Sequence, residues 1–233
     1  MSVSYAYLIG TIVLALVWFA FFFLRKDLRR QQLLISLCSA PLGPISQVLW
    51  FHKDYWQPPY AFPISVAGVQ VGIEELLFAF FISGIASVIY QVVFRKTVER
   101  KERHILRASI IVATAVGVFI ALKHIGFNTV WASTDALFLG TLLMILINRR
   151  LFMDSVMSAF LVLALVYPLY WLLFAFFPDA HQIFWVSEGL SGVNVLGAPI
   201  EEMTWFVAWA MFAGILYEFY RASNAAFANS QSK

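Results

Sequence analysis

The chain is short of charge. Only 12% of its 233 residues are Asp, Glu, Lys or Arg, while 61% are hydrophobic, against about 25% charged in a soluble domain. So little charge excludes a water-exposed surface and places the chain in a bilayer. The net charge of +3 comes from loops and is no nucleic-acid footprint, since no basic patch lies on a soluble face. Cys38 is the single cysteine. It has no partner for a disulfide, and in its apolar run it reads as a small buried hydrophobe. Four scattered histidines exclude the large histidine set of a di-iron hydroxylase or desaturase. No paired aspartate motif is present to bind Mg-diphosphate. No strand, Gly-rich loop and helix unit is present for a flavin or nicotinamide. The last apolar segment has no lysine, which excludes a retinal Schiff base of the microbial-rhodopsin kind.

What is present is long apolar sequence. Seven runs are of spanning length or close to it: 5–24, 33–50, 71–94, 105–123, 131–147, 153–177 and 198–220. The first is too long for a signal-peptide core and has no basic residue ahead of it, so it reads as a transmembrane helix. Arg25, Lys26, Arg29 and Arg30 follow the first run. Arg95, Lys96, Arg100, Lys101, Arg103 and Arg107 follow the third. Arg149 and Arg150 follow the fifth, and Arg221 and Lys233 lie in the tail. The other side has Lys53 and Lys123 alone. This asymmetry puts the N-terminus outside and the C-terminus in the cytoplasm.

The runs group as three, one and three. The basic hinge before the second run and the Arg149–Arg150 hinge stand at nearly the same distance ahead of two matching pairs of acids, the mark of an internal repeat. Three helices are an odd number, so one linking helix is needed to bring back the second copy in the same orientation. The expected architecture is an all-α membrane protein of seven helices in 3+1+3 parallel repeats. Residues 1–94 form the first repeat, 95–130 the basic loop and linking helix, 131–222 the second repeat, and 223–233 a polar tail expected to be disordered.

The acids are Glu74-Glu75, in Ile73-Glu74-Glu75-Leu76-Leu77-Phe78, and Glu201-Glu202, in Ile200-Glu201-Glu202-Met203-Thr204-Trp205. A single such pair after Pro199 is most simply the acidic first turn of a helix. Two pairs at equivalent places, beside hydrocarbon, point to a function. Successive helical residues point about 100° apart, so one member of each pair can meet the loop while the other faces the interior. Aromatic outer loops precede both pairs and hold Trp56 and Trp185; interfacial anchoring is an equally good reading of these. His52 with Asp54, and Asp179 with His181, read as loop anchors ahead of metal ligands, since nothing completes a metal shell. Asp135, after Ser133-Thr134, reads as a helix cap. Glu218 and Arg221 read as a solvated helix end.

These two modules, each with an outer aspartate and a closing Pro-x-Glu-Glu-x-x-aromatic element, resemble the non-flavin lycopene cyclases, over nearly the whole chain. Pro199, Glu201, Glu202 and Trp205 match that pattern. Glu74, Glu75 and Phe78 match it too, with Gly72 where the pattern has proline. The resemblance implies a redox-neutral, acid-initiated closure of linear carotene end groups to β-ionone rings, carrying lycopene to γ- or β-carotene without a cofactor or metal. It implies Glu74, Glu75, Glu201 and Glu202 as catalytic residues. One member of each pair would keep a proton and the other stay ionised, in an order the sequence leaves open. Phe78, Trp205, Trp56, Trp185, Asp54 and Asp179 are the implied substrate contacts. The expected partners are a carotenoid, the bilayer, and a second copy or other carotenoid enzymes. The alternative is a 3+1+3 transporter of a small solute, although transporters bind near the midplane, where this sequence has no ionisable residue.

Overall fold

The computed structural model describes residues 2–96, 104–195 and 197–221. The expected tail, 223–233, and Arg100, Lys101 and Arg103 of the basic loop lie outside them. A short 3-10 turn leads into α1 (Ala6–Leu24). Then follow α2 (Arg29–Ser39), α3 (Leu42–Ser46), a π-helical turn (Gln47–Phe51) and α4 (His52–Asp54). A hairpin of β1 (Pro63–Val66) and β2 (Val69–Gly72) runs directly into α5 (Ile73–Val93). After α6 (Ile105–His124) come α7 (Thr129–Ile147), α8 (Leu151–Phe176) and the single turn α9 (Ala180–Ile183). A second hairpin of β3 (Asn194–Val195) and β4 (Ala198–Pro199) then runs directly into α10 (Ile200–Tyr220).

The protein is a helical, multi-pass membrane protein. Among the described residues six helical stretches are long and apolar enough to cross a bilayer. Helix α10 has the same 21 residues as α5 but is not among the six. Its glutamates, tryptophans and tyrosines lower its mean hydropathy, and its position explains how it tolerates them. Helices α5 and α10 pack against each other at the centre, α5 flanked by α1 and α2, α10 by α7 and α8. Helix α6 leans on α7 and buries only Ile111 and Ala115.

Lipid gives helices no hydrophobic reason to associate, so small residues and interhelical hydrogen bonds do that work. A Cβ on Gly84 would run into Ser36 Oγ and the Trp18 indole, and one on Gly214 would meet Ser158 Oγ at 2.6 Å. Trp18 Nε1 donates to Ser36 Oγ at 3.0 Å, Gln32 Nε2 to the Trp18 carbonyl at 2.9 Å, and Ser155 Oγ to the Met211 carbonyl at 3.1 Å.

Several expectations are revised. The span 33–50 is a broken helix, because Pro41 and Pro44 interrupt the backbone bonding. Each aromatic outer loop ends in a short hairpin just before the glutamates. Val66 and Val69 pair across a two-residue turn in which Ala67 and Gly68 both have positive φ, 50° and 81°, as such turns require. Helix α7 starts earlier than expected. Its cap is Asn128, whose side chain accepts from Val130 N at 3.0 Å, and Asp135 is exposed in a later turn. Cys38 is exposed, not buried. Glu218 is no free solvated end, since it accepts from Gln91 Nε2 at 2.7 Å.

Candidate active site

Both glutamate pairs fall in the first turn of a helix that a hairpin delivers. The N-cap residues Gly72 and Pro199 are extended, with ψ of 160° and 141°, and neither offers a side-chain cap. The helix start leaves backbone N–H groups open and favours negative charge nearby. The 100° step between neighbours then separates each pair.

Glu74 and Glu201 turn back to the loop that precedes their own helix. Glu74 Oε1 accepts from Ala61 N at 2.8 Å, and Glu201 Oε1 from Ser191 N at 2.6 Å. Both residues are 0% exposed, and Oε2 of each lacks a hydrogen-bond partner among the described residues.

Glu75 and Glu202, each 6% exposed, face the interior and sit in aromatic cradles. Glu75 Oε1 accepts from Trp56 Nε1 at 2.9 Å and Tyr60 OH at 2.8 Å, and its Oε2 from Tyr7 OH at 3.2 Å. Glu202 Oε1 accepts from Tyr170 OH at 2.7 Å. Its Oε2 accepts from Tyr55 OH and, at 3.4 Å, from Trp185 Nε1. Each carboxylate is therefore held by two tyrosines and one tryptophan. Burial raises the Tyr55 and Tyr60 phenols above their ordinary range, and the charges of Glu202 and Glu75 respectively add to this. Both phenols therefore stay protonated and remain donors.

One short segment ties the two cradles together. Trp56 and Trp185 form an isolated antiparallel bridge. Gln57 N donates to the Phe184 carbonyl at 2.9 Å and Val186 N to the Tyr55 carbonyl at 2.8 Å. Tyr55 ends the α4 turn, with φ -146° and ψ -60°, and Trp56 opens the bridge, so the two neighbours point to different sides. Tyr55 thus reaches Glu202 while its neighbour Trp56 reaches Glu75. Between the cradles lies a crevice of about 30 Å³, walled by Tyr7 of α1 and Tyr170 of α8, with Trp56, Phe184, Phe78 and Phe206 around it.

Of the residues singled out in the sequence, Glu75, Glu202, Trp56, Trp185 and Phe78 come together here. Trp205 does not line the crevice; it stacks on Trp209 at 5.8 Å, and Phe206 takes the wall position opposite Phe78, 6.2 Å away. Asp54 holds Lys123 at 2.6 Å and Thr129 N at 3.1 Å, pinning the outer loop to the start of α7. Asp179 is exposed ahead of α9. His52 Nδ1 lies 2.8 Å from the Gln47 carbonyl, and His181 Nδ1 bonds the Pro178 carbonyl. Among the described residues no three His, Cys, Asp or Glu side chains gather as a metal site.

The sequence reading missed Tyr7, Tyr170 and Phe206. Tyr55 and Tyr60 belong to the aromatic outer loop it picked out, where interfacial anchoring was an equally good reading. The Gly72 departure has a steric cause. A Cβ there would collide with Glu74 Oε2 and the Tyr60 ring, so the residue that frames the first cradle excludes proline.

Residues 128–220 match the family model described as lycopene cyclase. The match runs from the Asn128 cap to the end of α10 and takes in Tyr170, Trp185, Glu201 and Glu202, so this segment is a lycopene cyclase family domain. Helices α1 to α6 lie outside it, a shorter reach than the resemblance over nearly the whole chain that the motifs suggested. No match was found among curated proteins or among solved structures.

Proposed function

We propose that this membrane protein, with its lycopene cyclase family domain, closes linear carotene end groups to β-ionone rings. It would act as an isomerase that takes lycopene to γ- or β-carotene. The observation that carries the reading is the pair of buried carboxylates, Glu75 and Glu202, in matching aromatic cradles whose Tyr7, Trp56 and Tyr170 line one apolar crevice. Cyclisation begins when a proton adds to the terminal double bond. A nearby double bond attacks the resulting cation and forms the ring bond. A neighbouring carbon then loses a proton, so no electrons enter or leave. One carboxyl group gives the first proton and one carboxylate takes the second. The two carboxyls stand behind the crevice lining, Glu75 bonded to Tyr7 and Trp56 and Glu202 to Tyr170, and separate carboxyls suit those two roles better than adjacent ones. The rings of Trp56, Phe78 and Phe206 offer π faces to the transient cation.

In this reading Glu75 and Glu202 handle the protons. Glu74 and Glu201 hold the outer loops in place and are the second rank of catalytic candidates. Residues 1–94 and 131–222 act as parallel repeats joined by α6, with the N-terminus and both glutamate pairs outside. Lys53 and Lys123 at the glutamate end, against Arg25, Lys26, Arg29, Arg30, Arg95 and Lys96 at the other, support that orientation. Expression in lycopene-producing cells tests the reading. Cyclised carotenes by HPLC support it. Unchanged lycopene, as a small-solute transporter of the same architecture would leave it, defeats it.

A further inference from the structure

The crevice between the cradles is too small for its proposed occupant. Its volume of about 30 Å³ has room for a few water molecules at most, whereas small-molecule sites run to about 300–1,000 Å³. A carotene end group can lodge there only if a wall moves.

The structure distinguishes the walls. Helices α5 and α10 form the packed centre. Helix α1 is fastened at its basic end: Trp18 bonds Ser36, and Arg25 donates to the Gln91 and Lys96 carbonyls at 2.5 and 2.8 Å. Its outer half is held to the rest of the protein by one side-chain hydrogen bond among the described residues, Tyr7 OH to Glu75 at 3.2 Å. Helix α1 packs along α5 and touches α8 sparsely, with no hydrogen bond between α1 and α8 among the described residues. The seam closes where Gly10 faces Leu173: a Cβ on Gly10 would lie 3.2 Å from Leu173 Cδ1. Elsewhere on these two helices Ile12, Leu16, Trp171 and Leu172 are exposed, and in a bilayer they meet lipid.

We propose that the seam between the outer half of α1 and α8 is the portal through which a linear polyene reaches the site from the lipid. Its end group lodges between Tyr7 and Tyr170, and the chain trails out past Gly10 and Leu173. The bare Cα of Gly10 gives the polyene its width. The occupant is an uncharged isoprenoid chain, because the crevice and seam offer it only aromatic and aliphatic walls, with Thr11 and the two tyrosines as the polar exceptions. The proposal rests on the cyclase reading for the identity of the polyene.

The test is a reversible tether. In a Cys38→Ser background, Gly10→Cys and Leu173→Cys are joined by oxidation or, if the geometry of a direct disulfide is not reached, by a short reducible bis-thiol reagent. Two readouts are taken on the protein in lipid vesicles: ring closure of lycopene by HPLC, and quenching of tryptophan fluorescence by bound lycopene. The tethered protein should lose both, and reduction should restore both. Gly10→Leu should lose both without any tether, and Gly10→Ala should lose less. Tethered protein that binds lycopene as the reduced protein does overturns the portal. Reduced protein that binds lycopene but closes no ring leaves the portal standing and sinks the cyclase reading.

Discussion

Replacing Glu75 by Gln separates chemistry from architecture. Three donors converge on this carboxylate: Trp56 Nε1 and Tyr60 OH on Oε1, and Tyr7 OH on Oε2. The amide keeps one oxygen for the first two. Its nitrogen replaces Oε2, and the Tyr7 hydroxyl can rotate to accept from it. The structural cost is about 1–3 kcal/mol, because the three bonds to a charged acceptor become weaker bonds to a neutral amide. That is small beside a typical stability of about 5–15 kcal/mol. Glu75→Leu would instead strand three buried donors at about 1–3 kcal/mol each, enough to unfold the protein and confuse the result. An amide neither gives nor takes the proton, so cyclisation should fall by about 10²–10⁴-fold. Glu202→Gln should do the same, because both carboxylates flank one crevice and each ring needs both. Two independent sites would leave about half the activity in each single variant, as separate contributions add. The assay is HPLC of carotenes from lycopene-producing cells, with the membrane fraction immunoblotted to show insertion. Near-wild-type ring formation in both single variants, with normal insertion, would refute the reasoning.

Glu74→Gln and Glu201→Gln should lose less activity in the same assay, because the amide oxygen still accepts from Ala61 N or Ser191 N; losses equal to those at Glu75 and Glu202 would put these residues in the proton path. Gly72→Ala forces Tyr60 and Glu74 apart and should cost about 1–3 kcal/mol, read as a lower Tm in detergent; an unchanged Tm would show that the cradle yields freely. The raised Tyr55 and Tyr60 phenols contribute stability that is fully present below the unfolded value of about 10. That contribution is lost as pH rises through their higher folded values. Alkaline titration by ultraviolet absorbance should therefore show two late phenols that revert to ordinary behaviour on denaturation. Lycopene conversion by purified protein stripped of flavin should proceed without added flavin or nicotinamide, because ring closure is redox-neutral; strict dependence on reduced flavin would contradict that.

Helix positions were legible because hydropathy over about 20 residues is a strong signal, although six stretches among the described residues, against the seven expected, are long and apolar enough to cross a bilayer. The expected runs at 105–123 and 131–147 fall within two residues of α6 and α7. The glutamates were legible because charge beside hydrocarbon is rare. Their division of labour was half legible. The 100° step predicts that neighbours part, but only the fold shows that Glu75 and Glu202 are the inward members. The tyrosines were hidden for a different reason. Tyr7 lies in one helix and Tyr170 in another, 68 and 32 residues from the carboxylates they hold, and nothing local marks either one. The hairpins were hidden because each is very short and the first lacks the Asn-Gly or Asp-Gly turn that would announce it; Ala67-Gly68 serves instead. Spacing from the glutamate pair selects Trp205, whereas it is Phe206 of α10 that lines the crevice beside Phe78.

The central claim is that a protein carboxyl starts the ring closure, and the proton itself reports on it. A carboxyl proton exchanges with solvent between turnovers, so the carbon it protonates acquires solvent hydrogen while a different hydrogen leaves. Purified protein in lipid, given lycopene in heavy water, should yield β-ionone rings carrying about one deuterium each by mass spectrometry. Rings formed without deuterium would contradict a solvent-exchanging carboxyl acid, and no ring at all would contradict the cyclase.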